Sequence, residues 1–126
     1  MTSTQLAEKI ARLSWEKKGE DITILDVREL TDMTDYFILI TAESDVHAKA
    51  LSGHLEDELK KEEVGPWHKE GHKSLKWVIL DFVDVVVHIF RRQIREFYSL
   101  EKLWGDARIT RLEENVPDRN LLKTDN

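Results

Sequence analysis

Asp26, Asp81 and Asp84 lie beside the apolar, β-branched runs of this chain. Carboxylates converging on a divalent cation would suit metal-dependent nucleotidyl transfer. That chemistry also needs a phosphate cradle, and neither standard glycine-rich pattern is present. The five histidines add little. His47 and His54 are seven residues apart, roughly two helical turns or ~10 Å, too far to share an ion. His68 and His72 are four apart, but Gly71 and Pro66 argue against a helix presenting both. His88 sits among apolar residues, an isolated base with no nucleophile beside it. No serine occupies a nucleophile elbow, and without cysteine there is neither disulfide nor thiolate chemistry. Acids at strand ends and turns serve more readily as caps. These residues therefore favour a binding protein that needs no cofactor. The alternative is a metal-dependent nucleotidyltransferase using Asp26, Asp81 and Asp84.

The elements that would position these residues centre on the run from Lys76 to Phe90, the most apolar and β-branched in the chain. Two strands reversing at Val83-Asp84 would pair Phe82 with Val85, Leu80 with Val87 and Val78 with Ile89. Side chains alternate across a strand, so those six share one face, expected to be core. The other face carries Trp77, Ile79, Asp81, Val86, His88 and Phe90. It is apolar yet holds an acid and a histidine. It lies either under a helix or open to a partner, because a large exposed apolar patch marks an interaction site.

Before that hairpin, residues 2–18 read as a helix, with Thr2 and Gln5 as a capping box, Leu6, Ile10 and Leu13 as its apolar stripe, and Gly19 as its terminator. Ile22 to Val27 and Asp35 to Thr41 read as strands, the second apolar from Tyr36 to Ile40 as a centrally placed strand would be. Ser44 is an N-cap for a helix to about Glu63, with Ala48, Leu51, Leu55 and Leu59 buried. Trp67 to Glu70 follows as a short edge strand. After the hairpin, Arg91 to about Leu103 has helical spacing, carried by Ile94, Phe97, Tyr98 and Leu100. The fold class is α/β, a mixed β-sheet with packed helices. Residues 1–106 form a single α/β domain, and residues 107–126 are expected to be a loosely ordered C-terminal tail.

The chain has 126 residues, enough for one core and not for two. Its formal net charge is −6, which disfavours direct nucleic-acid binding and suits a basic protein partner. No signal-peptide pattern or membrane-length apolar run is present, so a cytoplasmic location is expected.

Asp35-Tyr36-Phe37, Ser44 and His47, the run Trp77 to Phe90, and Tyr98-Ser99-Leu100-Glu101-Lys102-Leu103-Trp104-Gly105-Asp106 resemble the ribosomal silencing factor family, also called Iojap-like. The likeness spans roughly Leu6 to Asp106. Val83 departs from it, standing where the family usually has glycine. The resemblance implies a nucleotidyltransferase-like fold without catalysis. It also implies binding to ribosomal protein L-fourteen on the large ribosomal subunit, which blocks joining of the small subunit and represses translation when nutrients are scarce, as in stationary phase. The expected partner surface comprises Trp77, Ile79, Asp81, Val86, His88, Phe90, Tyr98, Leu100, Glu101, Leu103, Trp104 and Asp106, with no metal, no catalytic residue and no membrane contact. The same apolar surface would also suit a homodimer.

Overall fold

The computed structural model describes residues 1–113. Their elements run α1 (Ser3–Glu16), β1 (Glu20–Asp26), β2 (Tyr36–Ala42), α2 (Asp45–Lys60), β3 (His68–Glu70), β4 (Trp77–Asp81), β5 (Val85–Arg91), α3 (Arg92–Tyr98), α4 (Leu100–Leu103) and β6 (Arg108–Arg111). The strands form one six-stranded mixed sheet in the order β3-β4-β5-β2-β1-β6. Only the central β2–β5 pair is parallel. A parallel pair needs a crossover, and α2 lies within it.

The hairpin register is the one that side-chain alternation requires: Val78 pairs with Ile89 and Leu80 with Val87, and the Phe82 N–H donates to the Val85 carbonyl. The six residues of the first face are all buried in the core beneath α1 and α2. From α1 come Leu6, Ile10 and Leu13, and from α2 Ala48, Leu51, Leu55 and Leu59. Both helices start where their caps place them. Thr2 and Gln5 close a capping box, and the Ser44 hydroxyl accepts from the His47 N–H. The left-handed residue after α1 is Lys18 rather than the expected Gly19. Gly19 is needed instead for close approach, since a Cβ there would lie 2.7 Å from the Ile40 side chain.

Two further expectations change. Residues 91–103 do not form one helix: Ser99 is left-handed and separates α3 from α4. The segment after 106 does not begin as a loose tail, because Ala107 is buried and Arg108–Arg111 pair with β1 as an edge strand. Backbone hydrogen bonding to an open sheet edge does not require apolar side chains, so hydropathy alone concealed β6. Residues 114–126, the rest of the expected tail, lie outside the described residues.

At the tip of the hairpin Val83 takes φ 77°. The Asp84 N–H returns to the Phe82 carbonyl at 3.0 Å, a three-residue turn. The Asp81 carboxylate accepts the Val83 N–H at 2.8 Å. A β-branched residue is strained at positive φ by about 1–2 kcal/mol. Glycine would relieve that strain and return ~0.4–1 kcal/mol through a freer unfolded chain. Val83→Gly is therefore expected to raise the melting temperature by roughly 2–5 °C. Calorimetry checks it, and a lowered melting temperature would show that the valine stabilises the turn.

Candidate partner-binding surface

The second face of the sheet is covered unevenly. Its core is Leu25, Val27, Leu39, Phe90 and Ala107, with Phe37, Trp77, Ile94, Leu100 and Trp104 packed against them. The short helices α3 and α4 cover this side, and they leave part of it open. Gly71 helps to set Trp77: it has φ 85°, and a Cβ there would collide with the Trp77 carbonyl. The Trp77 ring meets His88, Phe90 and Tyr98 at 4.8–5.9 Å between centroids. Trp104 lies 5.4 Å from Phe37.

The Trp77 indole N–H donates to Nδ1 of His88 at 3.0 Å. Indole can only donate, so Nδ1 is the acceptor and a neutral His88 carries its proton on Nε2. Nε2 is buried and has no hydrogen-bond partner among the described residues. Burial pushes the His88 pKa down to about 4. This histidine is neutral at physiological pH and is no general base poised for turnover.

The expected surface residues divide into three groups. Tyr98, Leu103 and Asp106 are exposed, Leu103 at 71%. Trp77, Ile79, Asp81, Val86, Leu100, Glu101 and Trp104 are half-buried. His88 and Phe90 are buried and form the floor rather than the contact. The register was right for both, but burial depends on helices arriving from elsewhere in the chain. Two of the acids are engaged internally, Asp81 at the hairpin turn and Glu101 on the Arg95 guanidinium at 2.8 Å. Phe97, one of the helically spaced residues, is 78% exposed and packs edge-on against Tyr98. Trp67, 75% exposed beside the edge strand, is a further surface aromatic that periodicity did not single out. Arg95 was also overlooked. Its signal is the pair Thr23 and Thr41, two hydroxyls facing the same apolar side of the sheet.

Among the described residues the expected acids do not converge on a site for chemistry. Asp26 is bound by Arg28 at 2.7 Å. Burial raises the Asp26 pKa, but the Arg28 hydrogen bonds and charge outweigh it and hold it below the usual carboxylate range. Asp84 is exposed. Among the described residues, no group of three or more ligating side chains can hold a metal. Ser52, His72 and Glu56 meet, but the Ser52 hydroxyl at 3.0 Å and the Glu56 carboxylate at 3.6 Å share one ring nitrogen. A hydrolytic triad needs the acid on the opposite nitrogen. At the ends of β2 and β5 a crevice of about 590 Å³ is lined in part by Lys76, Arg91 and Arg92. Asp45 neutralises the first two and Asp21 the third. An incoming anion would have to displace those partners.

The family model described as "Ribosomal silencing factor during starvation" (RsfS) matches residues 1–125. This chain belongs to the RsfS family. It is 36% identical over 98 residues to the ribosomal silencing factor RsfS of Bacillus subtilis, covering 78% of this chain and 83% of that protein. It is 39% identical over 101 residues to the chloroplastic Iojap protein of Zea mays, covering 80% of this chain and 44% of that longer protein. A crystal structure of a Chromobacterium violaceum protein superposes with a TM-score of 0.78 at 37% identity, covering 83% of this chain and 88% of that one. A Bacillus halodurans structure follows at TM-score 0.67 and 30% identity, with 79% and 90% covered. The RsfS family is regulatory and not enzymatic, which sets the nucleotidyltransferase alternative aside. Among the described residues, no helix is long and apolar enough to cross a membrane.

In this RsfS-family chain the His88 pKa falls from near 6.5 in the unfolded chain to about 4 in the folded one. Between those values the unfolded chain binds more protons, so stability rises with pH. His88 therefore contributes stability that is fully present above pH ~6.5 and lost as pH falls toward ~4, on the order of 3 kcal/mol. Urea unfolding at pH 7 and pH 5 is expected to show a steeper pH dependence in the native protein than in His88→Gln. Equal slopes would mean that His88 titrates normally.

Proposed function

We propose that this chain binds the large ribosomal subunit through ribosomal protein L-fourteen and so sterically blocks its association with the small subunit. Translation is thereby repressed in the cytoplasm of nutrient-limited, stationary-phase cells. The observation that carries the reading is the exposed pair Tyr98 and Leu103 beside the half-buried Trp77, Ile79, Val86 and Trp104. Exposed aromatic and aliphatic side chains next to packed ones supply the anchors and walls of a protein interface. The acidic surplus of −6 complements a basic ribosomal protein. Since Asp81 and Glu101 are engaged internally, Asp106 is the exposed acid of the expected set. The same apolar residues support self-association as a homodimer when no ribosome is present, and a ribosome would compete with that contact.

Sedimentation with purified subunits tests the reading. The protein is expected to pellet with large subunits and not with assembled ribosomes; equal recovery in both would sink the antagonist mechanism. Leu103→Ala should weaken recovery while changing folding stability by no more than about 0.5 kcal/mol, as expected for an exposed side chain. Association should slow as salt rises, with dissociation changing less, because long-range charge is screened over roughly 8–10 Å. An on-rate insensitive to salt would assign the acidic surplus to solubility alone.

A further inference from the structure

The guanidinium of Arg95 is buried, and all of its donor directions are used. Nη1 donates to the Asp21 carbonyl at 2.8 Å and to the Thr41 hydroxyl at 2.9 Å. Nη2 reaches the Thr23 hydroxyl at 3.0 Å and the Glu101 carboxylate at 2.8 Å. Nε donates to the same carboxylate oxygen of Glu101 at 3.2 Å. The carbon of the guanidinium lies 5.7 Å from the centre of the Phe90 ring. One side chain of α3 therefore grips β1, β2 and α4 together.

Apart from this grip, α4 is held by the partial packing of Leu100 and Trp104 on the core of this face. It is four residues long, has no side-chain cap, begins at a left-handed serine and buries none of its own residues. A helix this short is unstable on its own. Yet α4 carries Leu103 and leads into Trp104, and α3 ends at Tyr98. We propose that Arg95 and Glu101 are positioning residues for partner docking: the pair clasps α4 to the sheet and thereby holds Tyr98, Leu103 and Trp104 as one preformed ridge. Glu101 acts through Arg95 and not through a contact with the partner. A preformed ridge spares binding the ordering that a loose segment would require. The proposal rests on the large-subunit reading for its partner, but the clasp itself is a property of the free protein.

Hydrogen exchange on the free protein and binding to large subunits, both measured well below the melting temperature, test it together. The Leu103 and Trp104 amides, which donate to the Ser99 and Leu100 carbonyls, should exchange about tenfold faster in Glu101→Gln, while the β4 and β5 amides keep their protection. Affinity for large subunits should fall about five- to tenfold, with the salt dependence of association unchanged. Arg95→Lys keeps the charge but loses the planar fork, and is expected to do the same. Unchanged α4 exchange in Glu101→Gln overturns the clasp. Unchanged exchange with a weaker salt dependence would instead make Glu101 a direct contact. Loosened α4 with full affinity would overturn its role in docking. If the native protein does not bind large subunits, the partner reading fails, and the exchange data still decide whether Arg95 and Glu101 hold α4.

Discussion

A cation buried against the sheet is tolerable only when its hydrogen bonds are made. Arg95 meets that condition with a carboxylate, two threonine hydroxyls and a backbone carbonyl. Removing one partner from such an arrangement leaves an uncompensated charge, which is why buried pairs are sensitive to truncation. The arrangement also depends on local backbone irregularity. Asp21 is left-handed, and the β1–β2 register shifts between Glu20 and Thr23. That irregularity accompanies the Asp21 carbonyl meeting the guanidinium. Through this contact a single side chain of α3 bridges β1, β2 and α4.

The two faces of the sheet are stabilised differently. Under α1 and α2 the core is aliphatic and closed, with central strands apolar on both sides as their position between neighbours demands. On the other face the cover is short, and aromatic rings fill what the helices leave. Trp77 joins both roles: its indole packs against Phe90 and Tyr98 while its N–H satisfies one nitrogen of His88. An incompletely covered apolar face on an acidic protein is suited to recognition rather than to turnover. The titratable groups agree, since the acids beside the sheet are bound by arginine or by turn amides.

The chain belongs to a family of ribosomal silencing factors, and the steric role proposed for it makes simple demands. A steric antagonist needs a rigid body and one adhesive face, and no reactive centre. Most charged pairs among the described residues lie at the periphery, such as Lys76 and Arg91 with Asp45. Such pairs add little stability individually, so the fold relies on the apolar core and on the buried arginine.

Much of the architecture was legible in the residues. Alternation and β-branching placed the hairpin and its register, because a slip by one would expose every core side chain. Capping chemistry located the starts of α1 and α2, since a side-chain oxygen must meet the free amides of a first turn. The family motifs, local and contiguous, were legible for the same reason. Four things needed the tertiary structure. The burial of Arg95 depends on hydroxyls from strands far away in sequence. The edge strand β6 depends on backbone groups that side-chain pattern does not report. The burial of His88 and Phe90 depends on which helices cover them. Glu101, expected at the partner surface, is drawn inward by the buried Arg95. Sequence periodicity states which side of an element is apolar; only the assembled chain decides what covers that side, and covering distinguishes a core from a binding surface.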